Sequence, residues 1–257
     1  MSGFHVVIPA RIGSSRLPGK PLLDIAGLPM IVRVARQAAG SGALSVIVAT
    51  DDRDIERAIT DAGYRALMTR TDHVSGSDRV EEVVEREGWP DETIVVNVQG
   101  DEPLLPPEVI RQVGDAMAAD PALDAATLCE PVDDERIATD PNCVKVVRDA
   151  RNHALYFSRS PIPGARADGR RGRAGPWLRH LGIYGFRAGA LRRFVTLRPS
   201  PLERTEGLEQ LRLLENRMSL LVLDCCRPVP GGVDTRADLE RVRRLLADAS
   251  EHDSRLA

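Results

Sequence analysis

Lysine is nearly absent from this 257-residue chain: 33 of its 35 basic residues are arginine, and the two exceptions are Lys20 and Lys145. An arginine bias of that size reads as genome background, so the arginines carry little information one by one. The two lysines are the informative positions. Net charge is also scarce, at −3 with a pI near 6.0, which excludes a protein that coats nucleic acid through a basic field. The four cysteines, Cys129, Cys143, Cys225 and Cys226, show no CxxC spacing. They read as small buried hydrophobes of a reducing compartment, with no zinc site or disulfide frame. No apolar run approaches the ~18 residues of a membrane span, and MSGFHVVIPAR lacks the basic region of a signal peptide. A cytoplasmic protein without membrane insertion is expected. Internal repeats and linkers are missing too, and a 42% hydrophobic share suits an ordinary core.

Short β-branched runs alternate with amphipathic stretches through the first half. Residues 4–9, 44–49 and 94–98 lack polar alternation, the mark of strands covered on both faces. Between them, Met30, Ile31, Val34, Ala35 and Ala38 recur at helical spacing, as do Ile55, Ala58 and Ile59 before Gly63, and Val80, Val83 and Val84 before Gly88. This alternation predicts a mainly parallel, helix-flanked sheet, with ligands bound beyond the carboxyl ends of the strands. From about Ala125 the strand-like runs 125–128, 143–148, 153–157 and 182–186 come without regular crossover helices, which suggests antiparallel additions. A single domain follows, with a nucleotide-binding part at about 1–125 and 228–257 and an inserted antiparallel lobe at about 126–227. Residues 161–176 are rich in Pro, Gly and Arg and read as a mobile surface loop; Arg166, Arg170, Arg171 and Arg173 there are either solvated or placed to touch an anion.

The first loop carries the strongest chemical signal. Arg11, Arg16 and Lys20 fall within ten residues, separated by Gly13, Ser14, Ser15, Pro18 and Gly19. Glycines allow close approach to an anion, hydroxyl and amide groups donate to it, and fixed cations offset its charge: a polyphosphate cradle. The spacing is neither GxxxxGK[ST] nor GxGxxG. At the end of the third strand, Gln99, Gly100, Asp101, Glu102 and Pro103 place carboxylates where they could hold Mg²⁺ together with phosphate oxygens. Asp234, in PGGVDT, is either a second metal ligand or simply a helix N-cap.

The segments IPARIGSSRLPGKPL, VATDD, HVSGSDR, VNVQGDEPLLPP, DPNCVKVV, LYFSRSPIP, RHLGIYGFR, EGLEQLRLLENR and GVDTRADLERV occur in this order and cover nearly the whole chain. Together they resemble the 3-deoxy-manno-octulosonate (Kdo) cytidylyltransferases. The resemblance implies a nucleotide-diphospho-sugar transferase fold and a cytoplasmic homodimer. It also implies the Mg²⁺-dependent reaction of CTP with Kdo to give CMP-Kdo and pyrophosphate, for lipopolysaccharide biosynthesis. Carried over residue by residue, it assigns the nucleotide side to Ala10, Arg11, Ser15, Arg16, Lys20, His73, Ser77, Arg79 and Gln99, and the metal to Asp101 and Asp234. Arg159, His180, Tyr184, Glu209 and Gln210 would face the sugar acid, whose carboxylate suits an Arg and whose hydroxyls suit Glu, Gln and His. The lesser alternatives are that Tyr184, in an apolar strand, belongs to the core and that Glu209 and Gln210 form an exposed helix face. PVPGGVDT departs from the family pattern, which carries a residue between the two glycines.

In such a reaction the sugar's anomeric hydroxyl attacks the α-phosphorus in line with departing pyrophosphate, so positioning and charge stabilisation dominate. Arg11, Arg16, Lys20, Asp101 and Asp234 are the catalytic candidates, and no Ser/His/Asp or Cys/His set for a covalent intermediate stands out. A cytidylyltransferase for sialic acid or amino-Kdo shares these features. A glycosyltransferase would normally lack the Arg/Lys-rich first loop, and a non-catalytic sensor would be expected to lose an acid or Lys20.

Overall fold

The structure, a computed structural model, describes residues 3–13, 17–164 and 176–256, with side chains up to residue 248. Strand β1 (Phe4–Ala10) is buried along most of its length and leads through the first loop and a 3₁₀ turn (Lys20–Leu22) to the small hairpin β2 (Asp24–Ile25) and β3 (Leu28–Pro29). Then α1 (Met30–Ala39), β4 (Ser45–Thr50), α2 (Arg53–Asp61), β5 (Arg65–Met68), α3 (Gly76–Arg86), β6 (Ile94–Asn97) and α4 (Pro107–Ala119) alternate. The apolar spacing explains α1, which buries Met30, Ile31, Val34, Ala35 and Ala38. Capping explains where two others begin: Asp52 accepts from the amides of Asp54 and Ile55, and Ser75 and Asp78 form a reciprocal capping box.

The second half comprises β7 (Ala125–Val132), α5 (Glu135–Thr139), β8 (Lys145–Arg148), β9 (Ala154–Ser158), β10 (Trp177–Arg187), α6 (Ala188–Thr196), α7 (Pro201–Glu206), α8 (Gln210–Glu215), β11 (Leu220–Asp224) and α9 (Arg236–Leu256). The main sheet runs β11–β7–β10–β6–β1–β4–β5, with β8 and β9 branching off β10. Strands β6, β1 and β4 are parallel as expected, and β5, which the sequence pattern did not reveal, joins β4 in parallel. The expected antiparallel additions are present: β8 pairs antiparallel with both β9 and β10. β10 is antiparallel to both β6 and β7, so β7 points the same way as β6, and β11 joins β7 in parallel. Helices α6, α7 and α8 lie between β10 and β11; the apolar spacing of residues 208–214 points to α8, whereas α6 and α7 are too short to show a clear period.

The strand order reverses at β1, flanked by β4 on one side and β6 on the other. That reversal opens a crevice beyond the carboxyl ends of β1 and β6. A separate apolar cluster of Leu17, Ile25, Met30, Val233, Leu239 and Val242 pins the first loop to the segment that enters α9, across more than 200 residues of sequence. Each fully buried aliphatic side chain of this kind contributes ~1.5–3 kcal/mol. Its consequence is that Lys20 and Asp234 meet.

Two expectations change at the level of single residues. Cys129 is buried, but Cys143, in the loop before β8, is half-buried, and Cys225 is half-buried and Cys226 exposed because β11 ends at Asp224 and the chain leaves the core there. The basic loop with Arg166, Arg170, Arg171 and Arg173 lies outside the described residues, as do Ser14, Ser15 and Arg16. Among the described residues no helix is long and apolar enough to cross a membrane.

Candidate functional site

A cavity of about 550 Å³ opens at the crevice beyond β1 and β6, with Ala10, Arg11, Lys20, Gln99, Asp101 and Asp234 in its wall. Close backbone approach shapes it: a Cβ on Gly100 would sit 2.8 Å from the carbonyl oxygen of Pro9, so only glycine lets the turn after β6 lie against the end of β1.

Lys20 is the centre of the arrangement. Its Nζ donates to Asp101 Oδ2 at 2.7 Å, to Asp234 Oδ1 at 3.1 Å and to the Val233 carbonyl at 2.9 Å. The sequence points to Lys20 as a phosphate-facing cation; in the structure it also holds the two candidate metal-binding carboxylates together. Asp234 is not the cap of α9. Thr235 and Asp238 do that work, with the Thr235 hydroxyl donating to Asp238 Oδ2 at 2.7 Å and the Asp238 amide donating back to Thr235 Oγ1 at 3.2 Å. The adjacent glycines keep Asp234 in register, as Val233 N donates to the Asp101 carbonyl at 2.9 Å. A Cβ on Gly232 would lie 2.8 Å from Glu102 Oε1 and 3.0 Å from the Asp101 carbonyl.

Across the cavity stand His73, Arg79 and Glu209. Each is held from behind. His73 Nε2 pairs with the buried Glu82, which also accepts from the Arg70 amide at 3.0 Å. Arg79, only 3% exposed, is bound to Asp51 Oδ2 at 2.7 Å and to Thr69 Oγ1. It therefore presents one edge to the cavity rather than a free guanidinium. The Ser77 hydroxyl donates to Glu209 Oε2 at 3.2 Å, and Ser77 itself is not among the residues of the cavity wall. Burial raises the Glu209 pKa, with the Ser77 hydrogen bond opposing it. The exposed helix face expected as an alternative for Glu209 and Gln210 is excluded: both are at least half-buried, Gln210 at 8% exposure.

A second cavity of about 530 Å³ adjoins the first, and Gln99 belongs to both walls. The strand β10 bulges here. Leu181 pairs with Leu128 but Tyr184 with Thr127, leaving Gly182 and Ile183 extra, and Gln99 Nε2 lies 3.4 Å from the Gly182 carbonyl. His180 lines this cavity beside Arg179, with its Nε2 3.0 Å from Thr127 Oγ1. Burial drives its pKa down to about 3, so His180 is a neutral imidazole at physiological pH. Tyr184 lies in a row of rings between His180 and Phe186, its hydroxyl has no described partner, and burial raises its pKa well above the ordinary value.

Arg159 differs from expectation. It is in neither cavity wall, and its guanidinium donates to the carbonyls of Pro141, Glu206 and Gly207 at 2.9, 2.7 and 3.3 Å. A carboxylate clamp needs a free fork, and three carbonyls already use this one. Gln210, buried at the start of α8, also lies outside both walls.

Two residues to which the family resemblance gave no role line the second cavity. Glu102 lines the second cavity, and burial, reinforced by Asp101, pushes its pKa up to about 8. Arg179 bonds Glu130 Oε1 at 2.6 Å and the Val229 carbonyl at 3.0 Å. Glu102 is legible only as the neighbour of Asp101; nothing distinguishes Arg179 from the other arginines. Among the described residues no three His, Cys, Asp or Glu form a metal-binding group, so Asp101 and Asp234 would need oxygens from a ligand to complete a cation's shell.

The chain matches the cytidylyltransferase family over residues 5–220. It is 51% identical over 249 residues to the 3-deoxy-manno-octulosonate cytidylyltransferase of Nitrosococcus oceani, covering 95% of this chain and 96% of that one. It is 52% identical over 248 residues to that of Halorhodospira halophila, with the same coverage. A solved structure of CMP:2-keto-3-deoxy-manno-octonic acid synthetase complexed with CTP superposes with a TM-score of 0.89 at 44% identity, covering 96% of this chain and 100% of that one. A nucleotidyl transferase from Methanothermobacter thermautotroptrophicus, with a TM-score of 0.60 at 18% identity over 96% of this chain and 99% of its own, shares the fold. A nucleotide-sugar-transferase-type sheet with this cleft at its strand reversal, and half the residues identical over nearly full length, places the chain in the 3-deoxy-manno-octulosonate cytidylyltransferase family, among the nucleotidyltransferases.

Proposed function

We propose that this protein transfers the cytidylyl group of CTP to Kdo, releasing pyrophosphate, as a Mg²⁺-dependent cytoplasmic homodimer that supplies lipopolysaccharide synthesis. The observation that carries the reading is the meeting of Lys20 with Asp101 and Asp234 in the wall of the first cavity, beside Arg11 and Gln99. The names of the relatives at about half identity support the choice of CTP and Kdo.

Arg11 binds the triphosphate, Lys20 offsets charge on the departing pyrophosphate while its Nζ holds Asp101, Asp234 and the Val233 carbonyl, and the turn at Gly100 keeps the α-phosphorus close to the end of β1. Asp101 and Asp234 are hard oxygen donors brought together by their shared contact with Lys20 Nζ, and they would hold Mg²⁺ with phosphate oxygens as the remaining ligands. When bound, Mg²⁺ neutralises phosphate charge and favours ionisation of the attacking hydroxyl. Gln99, shared by the two cavities, and Glu209 and His180 on either side of it orient the sugar acid. The sugar's anomeric oxygen then forms its bond to the α-phosphorus as the bond to pyrophosphate breaks.

The test is pyrophosphate release with each nucleoside triphosphate, Mg²⁺ and a panel of sugar acids. Release with CTP and Kdo is expected. No release from that pair sinks the proposal, and preference for an amino-Kdo or a sialic acid would move the substrate while keeping the chemistry.

A further inference from the structure

The second lysine has so far no part in the reaction. Lys145, on β8, is 1% exposed and among the largest of the fully buried side chains of the described residues. Its Nζ donates to the carbonyls of Asp140 at 3.1 Å, Cys143 at 2.5 Å and Arg159 at 2.5 Å. Three acceptors use all three ammonium protons. None of them is a carboxylate, so backbone carbonyls take its hydrogen bonds, and the charges of Asp140 and Glu206 favour the ammonium without bonding it. Such burial is costly, and it lowers the pKa of Lys145. Stability alone would favour an apolar side chain here. Arginine would serve badly, because its planar fork cannot converge on three carbonyls around one point.

The three carbonyls lie at the root of two walls. Asp140 and Cys143 belong to the loop that lines the second cavity. Arg159 follows β9, and its guanidinium closes the ring by donating to the Pro141 carbonyl at 2.9 Å. From there it reaches the carbonyls of Glu206 and Gly207, and its own amide donates to Glu206 Oε2 at 2.9 Å. Gly207, in the left-handed region at φ +63°, then turns the chain towards Glu209, which lines the first cavity. Arg159 is thus a link in this chain of contacts, one step removed from the ligand.

We propose that Lys145 is a positioning residue for the sugar-acid side of the site, tying the 140–143 loop to the Arg159–Glu206–Gly207 turn so that the second cavity and Glu209 keep a fixed relation. The role rests on the CTP and Kdo reaction proposed above. It also accounts for lysine at this position in a chain that otherwise uses arginine.

Lys145→Met and Lys145→Gln test it by steady-state kinetics of pyrophosphate release, with CTP and Kdo varied in turn. In Lys145→Met the KM for Kdo should rise by about tenfold or more while the KM for CTP stays within about twofold. Lys145→Gln, whose carboxamide still donates two hydrogen bonds, should recover part of the loss. An unchanged KM for Kdo, or an equal rise in both KM values, overturns the proposal. Loss of CTP affinity with early melting in both variants also overturns it, by making Lys145 a folding residue. The wild-type control separates the two readings: absence of turnover in the wild type removes the reaction and the Lys145 role together, whereas normal wild-type turnover with unshifted variants removes only the role.

Discussion

At the cleft a single ammonium stands between two carboxylates, and the side-chain exposures of 14% for Lys20, 34% for Asp101 and 51% for Asp234 show the group to be open to a ligand on the aspartate side. Asp101→Asn and Asp234→Asn keep size and shape while removing charge. Each is expected to lower kcat by ~10²–10³-fold, the range seen when one preorganised electrostatic group is lost, with circular dichroism and melting unchanged. Near-normal turnover in either variant would remove that aspartate from the metal assignment. His180 supplies a pH signature. Its folded-state pKa of about 3 lies below the ordinary 6.5, so between those values the unfolded chain binds the extra proton. Its contribution to stability is complete above pH 6.5 and is lost as pH falls, at up to ~1.4 kcal/mol per pH unit. Denaturant midpoints measured at pH 7.5 and 5 should converge in His180→Gln relative to the wild type. An identical pH slope in both proteins would show that the imidazole is not held neutral. Arg159 and Arg179 mark what single residues cannot disclose. Both are arginines among 33, and only their contacts show that the first is bound by three carbonyls while the second lines a cavity.

The element that shapes the site most is the turn between β11 and α9. Gly232 fits against Glu102 and the Asp101 carbonyl, and Val233 packs with Leu17, Met30 and Leu239. Gly232→Ala is expected to push this turn outward, lowering kcat by roughly tenfold or more and destabilising the fold by ~1–3 kcal/mol, the usual range for overpacking. Wild-type kinetics in that variant would mean that the turn yields without moving Asp234. The first strands and helices were legible because their apolar residues repeat with the period of the element they form: unbroken in β1, β4 and β6, and at 3–4-residue spacing in α1, α2 and α3. The direction of β7 was not legible. Strand polarity depends on what lies between strands in space, and β10 comes later in the chain yet inserts beside β7.

For the whole molecule, the two large buried clusters occupy opposite faces of one sheet; Val6 and Ile8 of β1 point into one and Val7 into the other. The parts 1–125 and 126–227 share this sheet through the β6–β10 pairing. Unfolding in guanidinium is therefore expected as one cooperative transition, with Trp89 and Trp177 fluorescence and far-ultraviolet circular dichroism giving coincident midpoints. Two separated midpoints would divide the chain into independent units. Amino-acid order by itself determined the parallel half of the sheet, the crevice beyond β1 and β6, and the residue types that gather there. Hydrophobic period and motif spacing are local properties, so a linear reading reaches them. Tertiary structure alone decided that Lys20 bridges Asp101 and Asp234, that Arg159 is spent on backbone carbonyls, and that Gln99 joins two cavities. These are meetings of groups tens to hundreds of residues apart, set by packing between elements, and packing has no period along the chain.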